Sequence, residues 1–302
     1  MEGFVKEYWL EVELQHPKGW LLTAEYGGTR EGYLRIDSEN AVKTEVKWEK
    51  LALERKTRAE VQPVVVINKF IENYMTRAKR KGKAEVYEKG NVRICGHNAY
   101  FARWRDIGDI VTISWICENE NKIFLLNYYM EPGEKWGDVA TWLIPGVVCH
   151  TSENFWKYRL AGVEFKVPKG YVLQNRKLLL GKPMMVFKKG NRVLLLHWSS
   201  FAKETLANYK NLLEWSKKEI PKEVRSAVKG FNFNRLKLDE ATGKLTAEET
   251  EQGFLSIGKN ARTLRVWYDS GSNRIFLTGY SGPQENISDL EELEKSIRFE
   301  PD

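Results

Sequence analysis

Val12-Glu13-Leu14-Gln15-His16-Pro17-Lys18-Gly19-Trp20 returns later in the chain as Val163-Glu164-Phe165-Lys166-Val167-Pro168-Lys169-Gly170-Tyr171. Each copy reads as an alternating strand that ends in a Pro-Lys-Gly turn. Asn121-Lys122-Ile123-Phe124-Leu125 returns as Asn273-Arg274-Ile275-Phe276-Leu277 at almost the same spacing. Gly96-x-Asn98-Ala99-x-x-x-Arg103 returns as Gly258-x-Asn260-Ala261-x-x-x-Arg265, after a short insertion. Three echoes in one order predict a tandem duplication of a domain of about 150 residues, an ordinary domain size. The expected domains are 1–150 and 151–302, joined by the polar connector His150-Thr151-Ser152-Glu153-Asn154. The period is too long for a solenoid.

Outward from these landmarks, the first half reads as strands at Tyr8–Leu14 and Trp20–Glu25, then a hairpin of Gly32–Ile36 with Val42–Trp48. Ile67, Phe70, Ile71, Tyr74, Met75 and Ala78 recur at helical spacing. They predict an amphipathic helix over 63–81, with Pro63 in its first turn and Gly82 as its stop. Strands are expected at Ala84–Tyr87, Val92–Cys95, Tyr100–Arg105, Ile110–Cys117 and Lys122–Tyr129, then a short helix over Gly137–Ile144. The second half follows the same plan. Its strands are Val163–Val167, Tyr171–Asn175, Met184–Lys188, Arg192–Trp198, Arg235–Asp239, Gln252–Ile257, Ala261–Tyr268 and Arg274–Tyr280. Its helices are Ala202–Ile220 and a closing Asp289–Ile297 with Ser288 as N-cap. Short connections between successive strands imply antiparallel pairing, and helices covering such a sheet make an α+β fold.

This order of elements resembles the fold shared by the nuclear transport factor Mog1 and the photosystem subunit PsbP. The residues that carry the resemblance are the turns at Pro17-Lys18-Gly19 and Pro168-Lys169-Gly170, the mid-domain helices, and the strands that follow Gly96 and Gly258. It implies two Mog1/PsbP-like α/β/α sandwiches in tandem, and binding or assembly modules rather than enzymes. It brings no functional residues with it.

Composition narrows the class. A hydrophobic share of 42% with 29% charged residues describes a globular chain with a real core. No run of 18 apolar residues suits a membrane span. Met1-Glu2-Gly3-Phe4-Val5-Lys6-Glu7 lacks the basic and apolar regions of a signal peptide, so a cytoplasmic protein is expected. Three cysteines, an odd number, do not make a disulfide framework. Lys and Glu are abundant and Gln is scarce, which hints at a hot environment, although Asn is not depleted. The net charge of +7 favours acidic partners, but 48 basic residues are interleaved with 41 acidic ones.

Few motifs carry chemistry. Asn98 and Arg103, with Asn260 and Arg265, are anion-binding candidates because a guanidinium fork suits carboxylate or phosphate. The structural alternative is a Gly-Asn turn followed by an Arg paired to a cross-strand acid. Arg77, Lys79, Arg80, Lys81 and Lys83 form the densest basic run. They suit a helix C-terminus, or weak, salt-dependent contact with nucleic acid. Cys95, His97, Cys149 and His150 offer soft ligands to zinc, but at spacings unlike known fingers. In the repeat, Cys95 aligns with Ile257 and Cys149 with Phe299, positions of core hydrophobes. Buried, metal-free cysteines are therefore expected, with no cofactor. No P-loop, dinucleotide-binding glycine motif or nucleophile elbow is present.

The leading expectation is a non-enzymatic binding or scaffold protein for a macromolecular, foremost a protein, partner, recognised through an exposed aromatic patch. A small-ligand carrier or enzyme would instead show a deep pocket with convergent polar groups. A nucleic-acid binder would gather its basic helix ends on one face.

Overall fold

The computed structural model describes residues 3–51, 61–77, 84–179, 181–227, 235–252 and 259–299. The chain divides into two compact units, Met1–Glu153 and Asn154–Asp302.

Unit 1 opens with a hairpin of β1 (Phe4–Leu10) and β2 (Val12–Pro17). Next come β3 (Leu21–Gly27), β4 (Glu31–Asp37), β5 (Val42–Lys50) and helix α1 (Pro63–Arg77). Then follow β6 (Glu85–Ile94), β7 (His97–Arg105), β8 (Asp109–Cys117) and β9 (Lys122–Tyr129). Helix α2 (Trp136–Leu143) and the two-residue β10 (Val147–Val148) close the unit. The principal sheet has seven antiparallel strands in the order β3-β4-β5-β9-β8-β7-β6. Alternation sends its two sets of side chains to opposite faces. Tyr100, Ala102 and Trp104 of β7 and Ile110 of β8 meet Ile67 and Ile71 of α1 on one face. Trp115, Phe124 and Tyr128 occupy the other, where Trp115 stacks on Phe124 with centroids 5.0 Å apart. Trp142 of α2 packs on Tyr128 there, and β2 and β1 bring the buried Trp9, Val12 and Leu14. Order β10-β2-β1 makes these three strands a second, smaller antiparallel layer.

Unit 2 contains β11 (Phe155–Leu160), β12 (Val163–Pro168), β13 (Val172–Leu179), β14 (Lys182–Lys189) and β15 (Arg192–Ser200). The short helices α3 (Ala202–Leu206), α4 (Leu212–Glu219) and α5 (Lys222–Ala227) follow. Strands β16 (Lys237–Asp239), β17 (Lys244–Gln252), β18 (Lys259–Asp269) and β19 (Arg274–Pro283) precede α6 (Ser288–Ser296) and β20 (Arg298–Phe299). Its seven-stranded sheet runs β13-β14-β15-β19-β18-β17-β16. Trp215, Ile220 and Val224 of the α4–α5 region cover Leu264, Val266 and Leu277 on one face. Antiparallel β11, β12 and β20 form its small layer. Tyr158 and Phe165 in that layer pack against Phe187 of β14.

These layers correct the expected α/β/α sandwich. Each unit is sheet-dominated: helices cover one face of the large sheet, while three short strands with one helix hold the other. The strands of the small layers bury their apolar residues as a helix would, so composition did not separate the two. Tyr8–Leu14, expected as one strand, is instead a hairpin bend. Trp9 pairs with Val12, leaving Leu10-Glu11 as the turn. Leu10 sits at φ 62°, a left-handed conformation unusual for leucine.

The expected helix Ala202–Ile220 is broken in two. Asn211 N-caps α4, its side chain accepting from the Glu214 amide at 2.9 Å. A cap in mid-segment ends whatever helix precedes it. The expected strand Gln252–Ile257 falls largely outside the described residues, as does the end of the expected 63–81 helix.

Candidate functional site

The most chemically concentrated place in unit 1 begins with a turn. Ile94 pairs with His97 across Cys95-Gly96, at φ 52° and 83°. Two left-handed residues are what a two-residue type I′ hairpin requires. The turn fixes His97 at the first position of β7. Ala99 pairs with Trp115 on β8, a register that carries on to set Cys117 beside His97 on the face away from α1. Cys149 and His150 follow directly after β10 in the small layer. One ligand atom from each of His97, Cys117, Cys149 and His150 lies within 4.8 Å of all the others. His150 Nδ1 is the hub, 3.4 Å from His97 Nε2, 3.5 Å from Cys117 Sγ and 3.4 Å from Cys149 Sγ.

Both thiols are fully buried, and the imidazoles are half-buried. The hydrogen bond with Cys149, together with burial, drives the Cys117 thiol far above its ordinary range. Cys149 is pushed up to about 12: contact with Cys117 lowers it, but the bond with Cys95 and burial outweigh that. Burial and the neighbouring His150 push His97 down. A thiol held protonated by burial is not an activated nucleophile. Cys95 does not meet His150 but touches the cluster through Cys149, and it is half-buried rather than fully buried as expected. Its thiol donates to the Val147 carbonyl at 3.0 Å.

The sequence candidates for anion binding are strand residues, and the two arginines among them are paired with acids. Asn98 and Arg103 are five positions apart on β7 and project to opposite faces. Arg103 pairs with Glu88, its direct cross-strand neighbour, and lies over the Tyr87 ring at 5.1 Å. Asn260 and Arg265 repeat the spacing on β18. Arg265 meets Glu294 at 3.3 Å and Glu248 at 4.0 Å. Of the basic run, Arg77 is exposed in the last turn of α1, while Lys79, Arg80, Lys81 and Lys83 lie outside the described residues.

Two sheet edges stand out. On β3, Leu21 is 68% and Tyr26 54% exposed; on β13, Val172 and Leu178 are each 51% exposed. Each strand is the terminal strand of its seven-stranded sheet. Beside Tyr26 lies an open cavity of about 270 Å³, lined by Gly32, Lys47, Trp48, Val66 and Phe124 among others. Gly32 leaves room for the Trp48 ring, onto which a Cβ at that position would project. Tyr26 and Tyr33 pack with centroids 5.5 Å apart on the same hairpin. Among the described residues, no helix is long and apolar enough to cross a membrane.

No protein-family model matches the chain, and no curated protein does. Among solved structures, cyanobacterial PsbP (CyanoP) from Synechocystis sp. PCC 6803 is similar at 12% identity and a TM-score of 0.37, covering 49% of this chain and 94% of that one. The MucA/MucB complex of Pseudomonas aeruginosa is similar at 10% identity and a TM-score of 0.21, covering 99% of this chain and 93% of that one. A structure of MucB with MucA(peri) is similar at 9% identity and a TM-score of 0.20, with the same coverage. The likeness is weak and PsbP-like over about half of this chain.

Proposed function

We propose that the chain is a non-enzymatic binding protein that captures an extended segment of a partner protein as an added strand along β3, with β13 as the counterpart in unit 2. The observation behind this reading is the exposure of Leu21 and Tyr26 on a terminal strand. A terminal strand offers unpaired N–H and C=O groups, and proteins ordinarily blunt it with charge. β3 has one charged residue, Glu25, and it is buried at 7% exposure. Strand addition draws affinity from the main chain and specificity from pockets for alternate side chains. The cavity beside Tyr26 suits one apolar side chain of such a segment. The net charge of +7 favours a segment rich in acidic residues.

The two units belong in this reading as copies of one domain, 1–150 and 151–302. Several features support that. The large sheets share one strand order. Left-handed turn residues recur in step, as Leu10 with Ala161, Gly19 with Gly170 and Asn121 with Asn273.

The test is selection of binders from a library of extended acidic-apolar peptides, with the bound amides mapped by NMR on the full chain. Shifts and slowed exchange should concentrate on Leu21–Gly27. Tyr26→Lys, at an exposed position, should weaken binding about 30-fold, the loss of one interface anchor of about 2 kcal/mol. Selected peptides that bind elsewhere, or that tolerate both Tyr26→Lys and Leu21→Lys, would defeat the proposal.

A further inference from the structure

The His97–Cys117–Cys149–His150 cluster has a geometry that hydrogen bonding does not explain. His150 Nδ1 is 3.4, 3.5 and 3.4 Å from three polar atoms at once. An imidazole nitrogen carries either one proton or one lone pair in the ring plane, so it makes one such bond. Two of the three contacts need another cause. A shared cation supplies it. With Zn–N about 2.05 Å and Zn–S about 2.3 Å, the edges of a tetrahedron are about 3.3 Å for N···N and about 3.6 Å for N···S. All three observed distances fall within about 0.2 Å of those edges.

We propose that His97 Nε2, His150 Nδ1, Cys117 Sγ and Cys149 Sγ bind one zinc ion in a closed tetrahedral site. Two thiolates and two neutral imidazoles are a donor set suited to zinc. Binding releases two thiol protons, and the two thiolates neutralise the dication. The site is then uncharged overall, which suits the full burial of both sulfurs. Four protein ligands leave no position for substrate, so the role is structural.

The place of the site says what it does. β10 is held to its layer by only two residue pairs, Val147 with Leu14 and Val148 with Glu13. Zinc ties the chain just beyond it to the ends of β7 and β8, and so fastens the small layer of unit 1 to its large sheet. Unit 2 closes the same place with carbon. There β20 ends in Phe299, whose ring packs on Phe276 with centroids 5.7 Å apart, and β18, which matches β8 in the strand order, ends at Asp269.

The experiment uses the purified full chain, stripped of metal under reducing conditions and then titrated with Zn²⁺ or Co²⁺. One equivalent should bind. Cobalt should show the visible bands of a tetrahedral ion and a thiolate charge-transfer band. His150→Ala and His97→Gln, at half-exposed positions, test ligands without emptying the core. Each should weaken binding by more than the ~100-fold that loss of an outer-sphere partner costs. Cys117→Ser should do the same and should abolish the charge-transfer intensity of one thiolate, while Cys95→Ser, whose thiol touches Cys149 without being a ligand, should keep the intensity of both thiolates and lose no more than about 100-fold in affinity. Failure of the stripped chain to bind a stoichiometric metal would overturn the proposal. So would unchanged affinity in both histidine variants, loss of binding in Cys95→Ser, or a Cys117–Cys149 disulfide found by thiol counting in the denatured, unreduced chain.

Discussion

Removing the charge of Lys122 should destabilise unit 1 far more than removing it together with Glu11. Lys122 Nζ is in direct ion-pair contact with Glu11, and their side chains are 2% and 0% exposed. Glu11 stands in the β1–β2 turn of the small layer and Lys122 begins β9 of the large sheet, so the pair bridges the two layers. Lys122 has a second, longer contact with Glu120 at 3.9 Å. In Lys122→Met the apolar stem remains, but the Glu11 carboxylate is left buried without its counter-charge. Its Oε2 already has no hydrogen-bond partner to compensate. Breaking one side of a buried pair costs about 3–5 kcal/mol, whereas replacing both partners with apolar groups is often neutral or stabilising. The double variant Glu11→Leu with Lys122→Met should therefore lie within about 1 kcal/mol of the parent. Urea unfolding followed by fluorescence of the 11 tryptophans reads the cycle. With a slope near 2 kcal/mol/M, the single variant should move the midpoint of its transition down by about 2 M. Salt should change this little, because a buried pair is poorly screened. A single-variant cost under about 1 kcal/mol, the level of exposed pairs, would refute the argument, as would a double variant as unstable as the sum of the singles.

Unit 2 carries a titratable group of opposite logic. His197 is 1% exposed, and burial pushes its pKa down to about 4, against the hydrogen bond it donates from Nδ1 to the Pro183 carbonyl at 2.9 Å. The unfolded chain, with an ordinary value near 6.5, takes up the proton first, so stability present above that pH is lost on acidification. Between pH 7 and 4 the loss is about 3 kcal/mol, which His197→Gln should not show; parallel pH profiles in denaturant melts would exclude it. Gly32→Ala should destabilise unit 1 by about 1–3 kcal/mol, because the new Cβ projects into the Trp48 ring across the strand pair. An unchanged melting midpoint for Gly32→Ala would mean that Trp48 relaxes freely.

The elements read from the chain follow from local signals where those signals are strong. Pro63 with Ile67, Phe70, Ile71, Tyr74 and Met75 at helical spacing announces α1, because burying a stripe against a sheet demands that period. The α2 and α6 regions were legible for the same reason, each placing two buried apolar residues four or three positions apart. The layer arrangement was not legible. A sequence shows that a face is apolar, not what covers it. The strands that cover it are short, and one of their turns uses leucine where glycine or asparagine would have marked the bend. The α3–α4 break was hidden by Leu206, Tyr209 and Leu213, which keep helical spacing across it and pack on the same core.

Of the cysteine–histidine cluster, the sequence singles out His97, Cys149 and His150 but not Cys117, for a deeper reason. Zinc sites are read from sequence when two ligands sit a few residues apart on one turn. Here position 97 opens one strand, 117 ends its neighbour, and 149 and 150 follow a strand of another layer; only the last two are adjacent. Cys95-x-His97 looked like a ligand pair, yet the left-handed turn that delivers His97 turns Cys95 to the Val147 carbonyl instead. The comparison of the two halves points to packed, metal-free cysteines. Phe299 opposite Cys149 implies a position for a packed hydrophobe. Cys149 is fully buried whereas Phe299 is only half-buried, so what the two positions share is their place at the end of the two-residue strand of the small layer, not one degree of burial. Repeat alignment therefore reports where a position sits in the fold, and only the cross-strand register that sets Cys117 beside His97 reports what chemistry that place can host.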